Sequence, residues 1–419
     1  MLSSKLLDSR WHAATVSREG AVGRPAFWVP AVYAVILGTL SFNFFLAFVN
    51  TNVFGIRESH VVLSELVLIS AGLVLILDRK AGFYVLLAVF LSYMAFILAL
   101  RPELDLKAIR DALIPLIFYG LGRKLHNVEE ADRIIFVCAG IVLIVGLFEF
   151  LMLDVFTSVV NIFDYYVARG TVAADSNFVK DSTLFVSSTR IGGRNFFPFL
   201  GTIRASSVFL EPVTMGNFGA FLCLWAVFRN GMKNRWLMFV MAFVIIVLGD
   251  ARFGMFVCVA FFAVAPIYRF VPRSVLFLMP FFGALVLAMY GGWTNAVDWP
   301  DNLPGRILHS ALLMIKLDWQ GVLGISGEVG FVADNGFAYT FSQIGLLGAL
   351  FLWTLFIFAA PDSDQAHKFK VLATAFICLL LVVSNSIYSI KLAALFWLAA
   401  GAADLRPAMP LPGSAMRRA

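Results

Sequence analysis

The sequence predicts an all-α polytopic membrane protein with about twelve transmembrane helices. Hydrophobic residues make up 61% of the 419 positions and charged residues only 14%. A soluble domain carries roughly 25% charged residues, so such a chain has more apolar surface than a water-soluble fold can hide. The apolar residues also fall into long runs of the length a bilayer requires, about 20 residues each. Basic residues collect at alternate ends of those runs, which is the third mark of the class.

Taken in order, residues 1–26 are polar and basic and read as a cytoplasmic tail. The apolar run that follows has no small-residue cleavage site and is expected to stay as the first transmembrane helix. The transmembrane domain spans 27–403, with helices expected at 27–49, 60–78, 82–100, 111–122, 134–153, 212–228, 236–250, 252–268, 274–291, 337–359, 370–386 and 388–403. Residues 404–419 read as a second cytoplasmic tail. With the N-terminus inside, 19 of the 32 Lys and Arg fall in inner segments, most of them very short, and both termini are cytoplasmic. The four cysteines lie inside apolar runs without metal-ligand spacing and read as small buried hydrophobes. The net charge of +6 is spread over many loops rather than along one face, which gives no sign of nucleic-acid binding.

Two long outer segments, 154–204 and 293–336, depart from this pattern. Long loops on a helical scaffold commonly bind or catalyse. The first holds Asp164, Tyr165, Tyr166 and Arg169, then Arg190 and Arg194 in a Gly/Ser-rich stretch. It closes at Arg204, and the next helix opens through Glu211-Pro212. The second holds an amphipathic piece, Arg306 to Lys316, expected as a short helix in the interface with Arg306 and His309 on one face. It ends in Asp334-Asn335. No internal repeat is visible, which weakens a transporter built from inverted repeats.

Arginine forks suit phosphate oxygens, because they make two parallel charge-assisted hydrogen bonds. Arg204, Arg252 (in the turn Gly249-Asp250-Ala251-Arg252) and Arg306 stand at outer helix ends, and three converging forks would cradle a diphosphate. Arg110, beside Lys107 before the fourth helix, adds outer positive charge. The plain alternative for each is snorkelling to lipid headgroups, as it is for Lys391. Glu211 could act as a general base or only pair with Arg204; Asp334 could act as a base or only cap a helix. His309 could serve as base or phosphate ligand, or be an ordinary interfacial histidine. Glu65 and Glu149 lie within helices and read as structural polar contacts. Walker A, Rossmann, HExxH, DxD and nucleophile-elbow motifs are absent from the sequence. The inner loops are too short to hold a nucleotide sugar, so any donor is lipid-borne.

The stretch Arg204-Ala-Ser-Ser-Val-Phe-Leu-Glu211-Pro212, the turn Gly249-Asp250-Ala251-Arg252 and the second loop with Arg306, Gly321-Val-Leu-Gly324, Asp334-Asn335 and Gln343-Ile-Gly345 resemble the bacterial Wzy-type polysaccharide polymerases, in the wider group that includes the O-antigen ligases. The resemblance implies a GT-C-like fold in the inner membrane and a glycosyltransferase acting at the periplasmic face without metal, nucleotide or other cofactor. Oligosaccharide repeat units on undecaprenyl diphosphate would be both donor and acceptor, with a chain-length-regulating copolymerase as a further partner. Carried over, Arg204, Arg252 and Arg306 would hold diphosphates, with Arg194, Arg190, Arg169 and Arg110 around them; Tyr165, Tyr166, Asn335 and Asp250 would contact sugars. Where the ligases place a histidine before the asparagine this chain has Asp334, which argues against ligation and leaves the base open between Glu211 and Asp334. A lipid-linked oligosaccharide flippase is the competing class.

Overall fold

The computed structural model describes residues 27–77, 81–103, 105–176, 182–190, 192–294, 296, 298–300, 302–326, 334–359 and 362–405. The N-terminal tail, most of the C-terminal tail and residues 177–181 and 327–333 of the two loops lie outside the described residues. What is described is helical, with one isolated antiparallel bridge between Thr189 and Ile203.

The helices are α1 Trp28–Asn52, α2 Glu58–Ile76, α3 Ala81–Leu100, α4 Lys107–Arg123, α5 Val128–Leu151, α6 Leu153–Val159, α7 Ile162–Ala168, α8 Pro212–Phe228, α9 Arg235–Leu248, α10 Arg252–Val264, α11 Arg273–Trp293, α12 Leu303–Ile315, α13 Trp319–Leu323, α14 Gly336–Phe358, α15 Asp364–Val383 and α16 Ile390–Ala403. Each of the twelve expected apolar segments coincides with one of them. Among the described residues, eight helices are long and apolar enough to cross a membrane: α1, α2, α3, α5, α10 with its 3-10 extension to Phe270, α11, α14 and α15. The other four, α4, α8, α9 and α16, are shorter. Two of these, α8 and α16, are buried almost throughout. A helix jacketed by other helices meets protein rather than lipid, so it need not span the hydrocarbon by itself. Gly401 of α16 and Gly122 of α4 bring two backbones together; a Cβ on Gly401 would stand 3.0 Å from the Gly122 Cα.

Helix starts follow the sequence chemistry. Asn127, Asn161, Asn302, Asp318, Asn335 and Ser363 each accept a backbone N–H from the first turn of the helix they precede. The cap of α14 is therefore Asn335 and not the adjacent Asp334. Helix α4 begins four residues before its apolar run, because the polar turn Lys107–Arg110 is helical and makes contacts within the protein. The expected interfacial helix is α12, but it packs inward: Gly305, Ser310, Ala311, Leu313 and Met314 are buried, and Gly291 of α11 leaves room for it. The first loop forms α6, α7 and two 3-10 turns, Val186–Ser188 and Pro198–Leu200.

Candidate functional site

The starts of α4, α8, α10, α14 and α16 and the ends of α9 and α15 share one end of the bundle, called the site end here. Three groups of charged side chains lie there. The first surrounds the turn after α9. Asp250, at φ 45°, is fully buried and accepts from Asn195 N at 2.9 Å, Asn195 Nδ2 at 2.7 Å and Phe196 N at 2.9 Å. Arg190 Nε lies 3.5 Å from the same carboxylate. The carbonyls that α9 leaves without helical partners are taken by arginines. Arg204 donates from Nε to Gly249 O at 2.9 Å and from Nη1 to Ser187 O at 3.0 Å. Arg194 donates to Ile203 O, Val247 O and Leu248 O. Burial, then the neighbouring Arg190, pushes the Arg204 pKa down to about 10, so it stays charged at neutral pH. Arg252 at the start of α10 is also among the charges that act on it.

Arg194 and Arg204 are thus committed to holding a helix end. Arg204→Ala is expected to lower stability by about 1–3 kcal/mol for each carbonyl left unpaired. A thermal unfolding series in detergent checks this. Arg204→Lys should recover only part, because one ammonium cannot reproduce the two-pronged contact. An unchanged midpoint would show that these contacts carry no load in the fold.

The second group centres on Glu211, the residue before Pro212 at the start of α8. Its Oε1 accepts from Tyr166 Oη at 2.5 Å and lies 3.4 Å from Lys391 Nζ; its Oε2 accepts from Thr214 Oγ1 at 2.9 Å. Lys391 also donates to Phe209 O at 3.0 Å, which fixes the turn through Leu210 at φ 62°. Arg169 lies over the rings of Tyr165 and Tyr166, at 5.8 and 5.4 Å. Tyr165 Oη donates to Asn43 at 2.6 Å. Upstream, Glu149 on α5 accepts from Ser206 N at 2.7 Å and Ser207 N at 2.6 Å, holding the segment that leads to Glu211. Burial alone would raise the Glu211 pKa. Lys391, then the hydrogen bonds from Tyr166 and Thr214, then Arg169, outweigh it and hold the carboxylate below its ordinary value. The Tyr166 hydroxyl moves the other way, well above its ordinary value through burial and the adjacent Glu211, and so remains a donor. The Glu211 side chain keeps 30% of its exposure while Lys391 keeps 7%, so the acid is reachable and its partner is enclosed.

This group continues across the bundle. Glu65 pairs with Arg110 at 2.5 Å, Arg110 with Asp111 at 2.7 Å, and Tyr339 Oη donates to Asp111 at 2.5 Å. Lys107 sits over the Tyr339 ring at 5.0 Å. The third group is on α12, where His309 stacks on Trp299 at 4.4 Å and Arg306 lies 5.1 Å over the same ring. Arg306 and His309 do share a face, as their spacing implies. Asp334 is 3.9 Å from His309 Nε2 and is exposed. Burial, opposed in part by Asp334, lowers the His309 pKa and favours the neutral ring. Asn335 is fully buried; it donates to Ser310 O at 2.6 Å and caps α14, so both ends of its amide are engaged within the fold. Asp164 caps nothing but accepts from Asn161 Nδ2 at 2.6 Å beside the start of α7. Among the described residues no three His, Cys, Asp or Glu side chains gather as a metal-binding set.

The structure corrects one pairing. Glu211 pairs with Lys391, not with Arg204. Arg306 stands over Trp299 beside His309. Asp250 is spent on the backbone of the first loop. Lys391, Asp111 and Glu65 are the members that the sequence reading undervalued. A lysine one turn inside an apolar helix was the available signal, since such charge is costly in a membrane and marks function. Comparison of the chain with protein-family models, curated proteins and solved structures finds no match.

Proposed function

We propose that the protein is a lipid-diphosphate-dependent glycosyltransferase of the Wzy polymerase kind, joining undecaprenyl-diphosphate-linked oligosaccharide units at the periplasmic face of the bacterial inner membrane. In this reading all twelve apolar helices cross the bilayer in a GT-C-like arrangement and the site end faces the periplasm. The observation that carries it is the reachable Glu211 carboxylate, held ionised by Lys391 among further cations at one end of an apolar bundle.

Glu211 supplies the base. The acceptor hydroxyl gives its proton to the carboxylate as its oxygen forms a bond to the anomeric carbon of the donor. The bond from that carbon to the diphosphate oxygen breaks, and undecaprenyl diphosphate leaves with the electron pair. Cations at the site end offset the charge that develops on it. The diphosphate contacts in this reading come from Arg169, Arg252, Arg110, Arg306 and Lys107, with Arg194 and Arg204 holding backbone carbonyls beside them. The geometry favours Glu211 over Asp334 as base, because Asp334 is exposed and paired only loosely with His309.

Purified protein in nanodiscs, given its lipid-linked repeat unit without nucleotide or metal, is expected to build a ladder of products. An unextended substrate carried across vesicle membranes would replace the polymerase with a flippase. Transfer of one unit to a different lipid acceptor would replace it with a ligase.

A further inference from the structure

A cavity of about 320 Å³ runs between α4 and α14, and its lining is almost wholly apolar. Pro115, Tyr119 and Arg123 line it from one face of α4, and Thr340, Ile344, Leu352 and Phe356 from α14. From Thr340 to Phe356 is roughly 24 Å along a helix axis, so the cleft follows most of the height of the bundle. Irregular backbone accompanies it. Helix α14 breaks at Gly345, at φ 67° and ψ 161°. The carbonyls exposed by the break are taken from the α3 side: Tyr93 Oη donates to Ile344 O at 2.9 Å, and Arg101 to Ser342 O and Gln343 O at 2.8 and 2.7 Å. Phe83 and Leu86 of α3 cover the cleft from that side.

Toward the site end the cleft is lined by Phe337, Thr340 and Tyr388, and the hydroxyls of the last two are 2.7 Å apart. Tyr388 stands 5.6 Å from the ring of Tyr339. That ring carries the exposed Lys107 over its face, and its hydroxyl reaches Asp111 and through it Arg110. Lys107 also donates its backbone N–H to Asp105 at 2.9 Å, so the cations Lys107, Arg110, Arg169 and Lys391 stand among the carboxylates Glu65, Asp105, Asp111 and Glu211. An apolar channel that ends one ring away from an exposed cation has the shape of an amphiphile.

We propose that this cleft holds the first isoprene units of one lipid diphosphate, those next to the phosphates, with the phosphates at Lys107. This rests on the polymerase reading for the kind of lipid, and it adds where one of the two lipids lies. A water-soluble diphosphate has no use for the apolar walls. A neutral lipid gains nothing from Lys107. The occupant therefore has both parts, and α3 is the wall it passes on entry from the bilayer.

The test is photolabelling of the full chain in nanodiscs with a diazirine-tagged farnesyl diphosphate, followed by peptide mapping. Label is expected on Leu116–Gly120 of α4 and Leu352–Phe356 of α14. Leu352→Trp should remove it and Leu352→Met should keep it, at unchanged thermal stability. Lys107→Ala, at an exposed position, should weaken labelling roughly tenfold or more, as loss of a charged hydrogen-bond donor does. Undecaprenyl diphosphate should displace the label where excess phosphatidylglycerol does not. Label confined to outward lipid-facing residues would overturn the proposal. So would label that phosphatidylglycerol displaces equally and that ignores Lys107→Ala, since the cleft would then hold ordinary bilayer lipid. Labelling needs no turnover: cleft labelling without a product ladder would sink the polymerase and leave the cleft, while a full-rate ladder from Leu352→Trp would do the reverse.

Discussion

On the proposed polymerase reading, Lys391→Met is expected to move the acid limb of the ladder-assay rate to higher pH, while Glu211→Gln removes most of the rate at every pH. A positioned general base contributes about 10²–10⁴-fold, and that is the loss expected for Glu211→Gln in the ladder assay. The shift in Lys391→Met follows from which groups face the carboxylate. Lys391 comes from α16, Tyr166 and Arg169 from α7 and its end, and Thr214 from α8, with Glu65 of α2 farther across the group. Burial drives the Glu211 pKa up, and Lys391 is the largest influence that drives it down. Without the ammonium the carboxylate takes up its proton at a higher pH. A base works only when ionised, so activity falls away sooner on acidification. Lys391→Arg keeps the charge and should keep the limb near its wild-type position. An independent readout uses a membrane-permeant carbodiimide, which adds to protonated carboxyls: labelling of Glu211 should persist to higher pH in Lys391→Met. If the limb and the labelling midpoint both stay in place, Lys391 does not set the state of Glu211.

The helix pattern was legible because it rests on composition and on run length, which a single chain displays directly. All twelve apolar segments lie on helices, and the tight turn at Gly249–Ala251 lies where expected. Helix ends shifted where polar residues are helical and paired within the protein, as at Arg110 and Asp111. Asp334 and Asn335 are adjacent potential caps, and the sequence does not say which side chain folds back to the first turn. Asn335 does, because its amide can donate to Ser310 O while its oxygen caps.

The pairings of charges were the less legible part. Glu211 meets a lysine 180 positions away only because α8 and α16 are the two enclosed helices, packed start to start. Charge spacing along one chain favours Arg204 as its partner, being seven residues upstream. Arg204 is instead drawn to the carbonyls at the end of α9, a demand created by the helix and invisible as a residue type. The same holds for Arg194. Convergence of three arginines is a tertiary claim, which spacing along the chain does not decide. Arg306 was read correctly with His309, since three-residue spacing on a helix is local information.

At the opposite end of the bundle, Asp404→Ala is expected to be among the most destabilising single substitutions. The sequence assigns Asp404 to a solvated tail, yet it caps the end of α16 and is fully buried. Its Oδ2 accepts from Lys370 Nζ at 2.7 Å and from Tyr119 Oη at 2.5 Å, and its carbonyl accepts from Arg123. Lys370 is 3% exposed and sits 3.8 Å over the Phe356 ring. Removing the carboxylate leaves an ammonium in apolar surroundings, and breaking a buried pair from one side costs about 3–5 kcal/mol. Removing both charges is a different operation, since neither desolvation cost remains. Lys370→Met combined with Asp404→Asn is therefore expected to recover most of what Asp404→Ala loses, with the Tyr119 hydrogen bond retained. Thermal unfolding of the three proteins in detergent, with the wild type, decides it. Equal losses in Asp404→Ala and in the double variant would mean that packing around α16, and not the unpaired charge, sets the stability of this end.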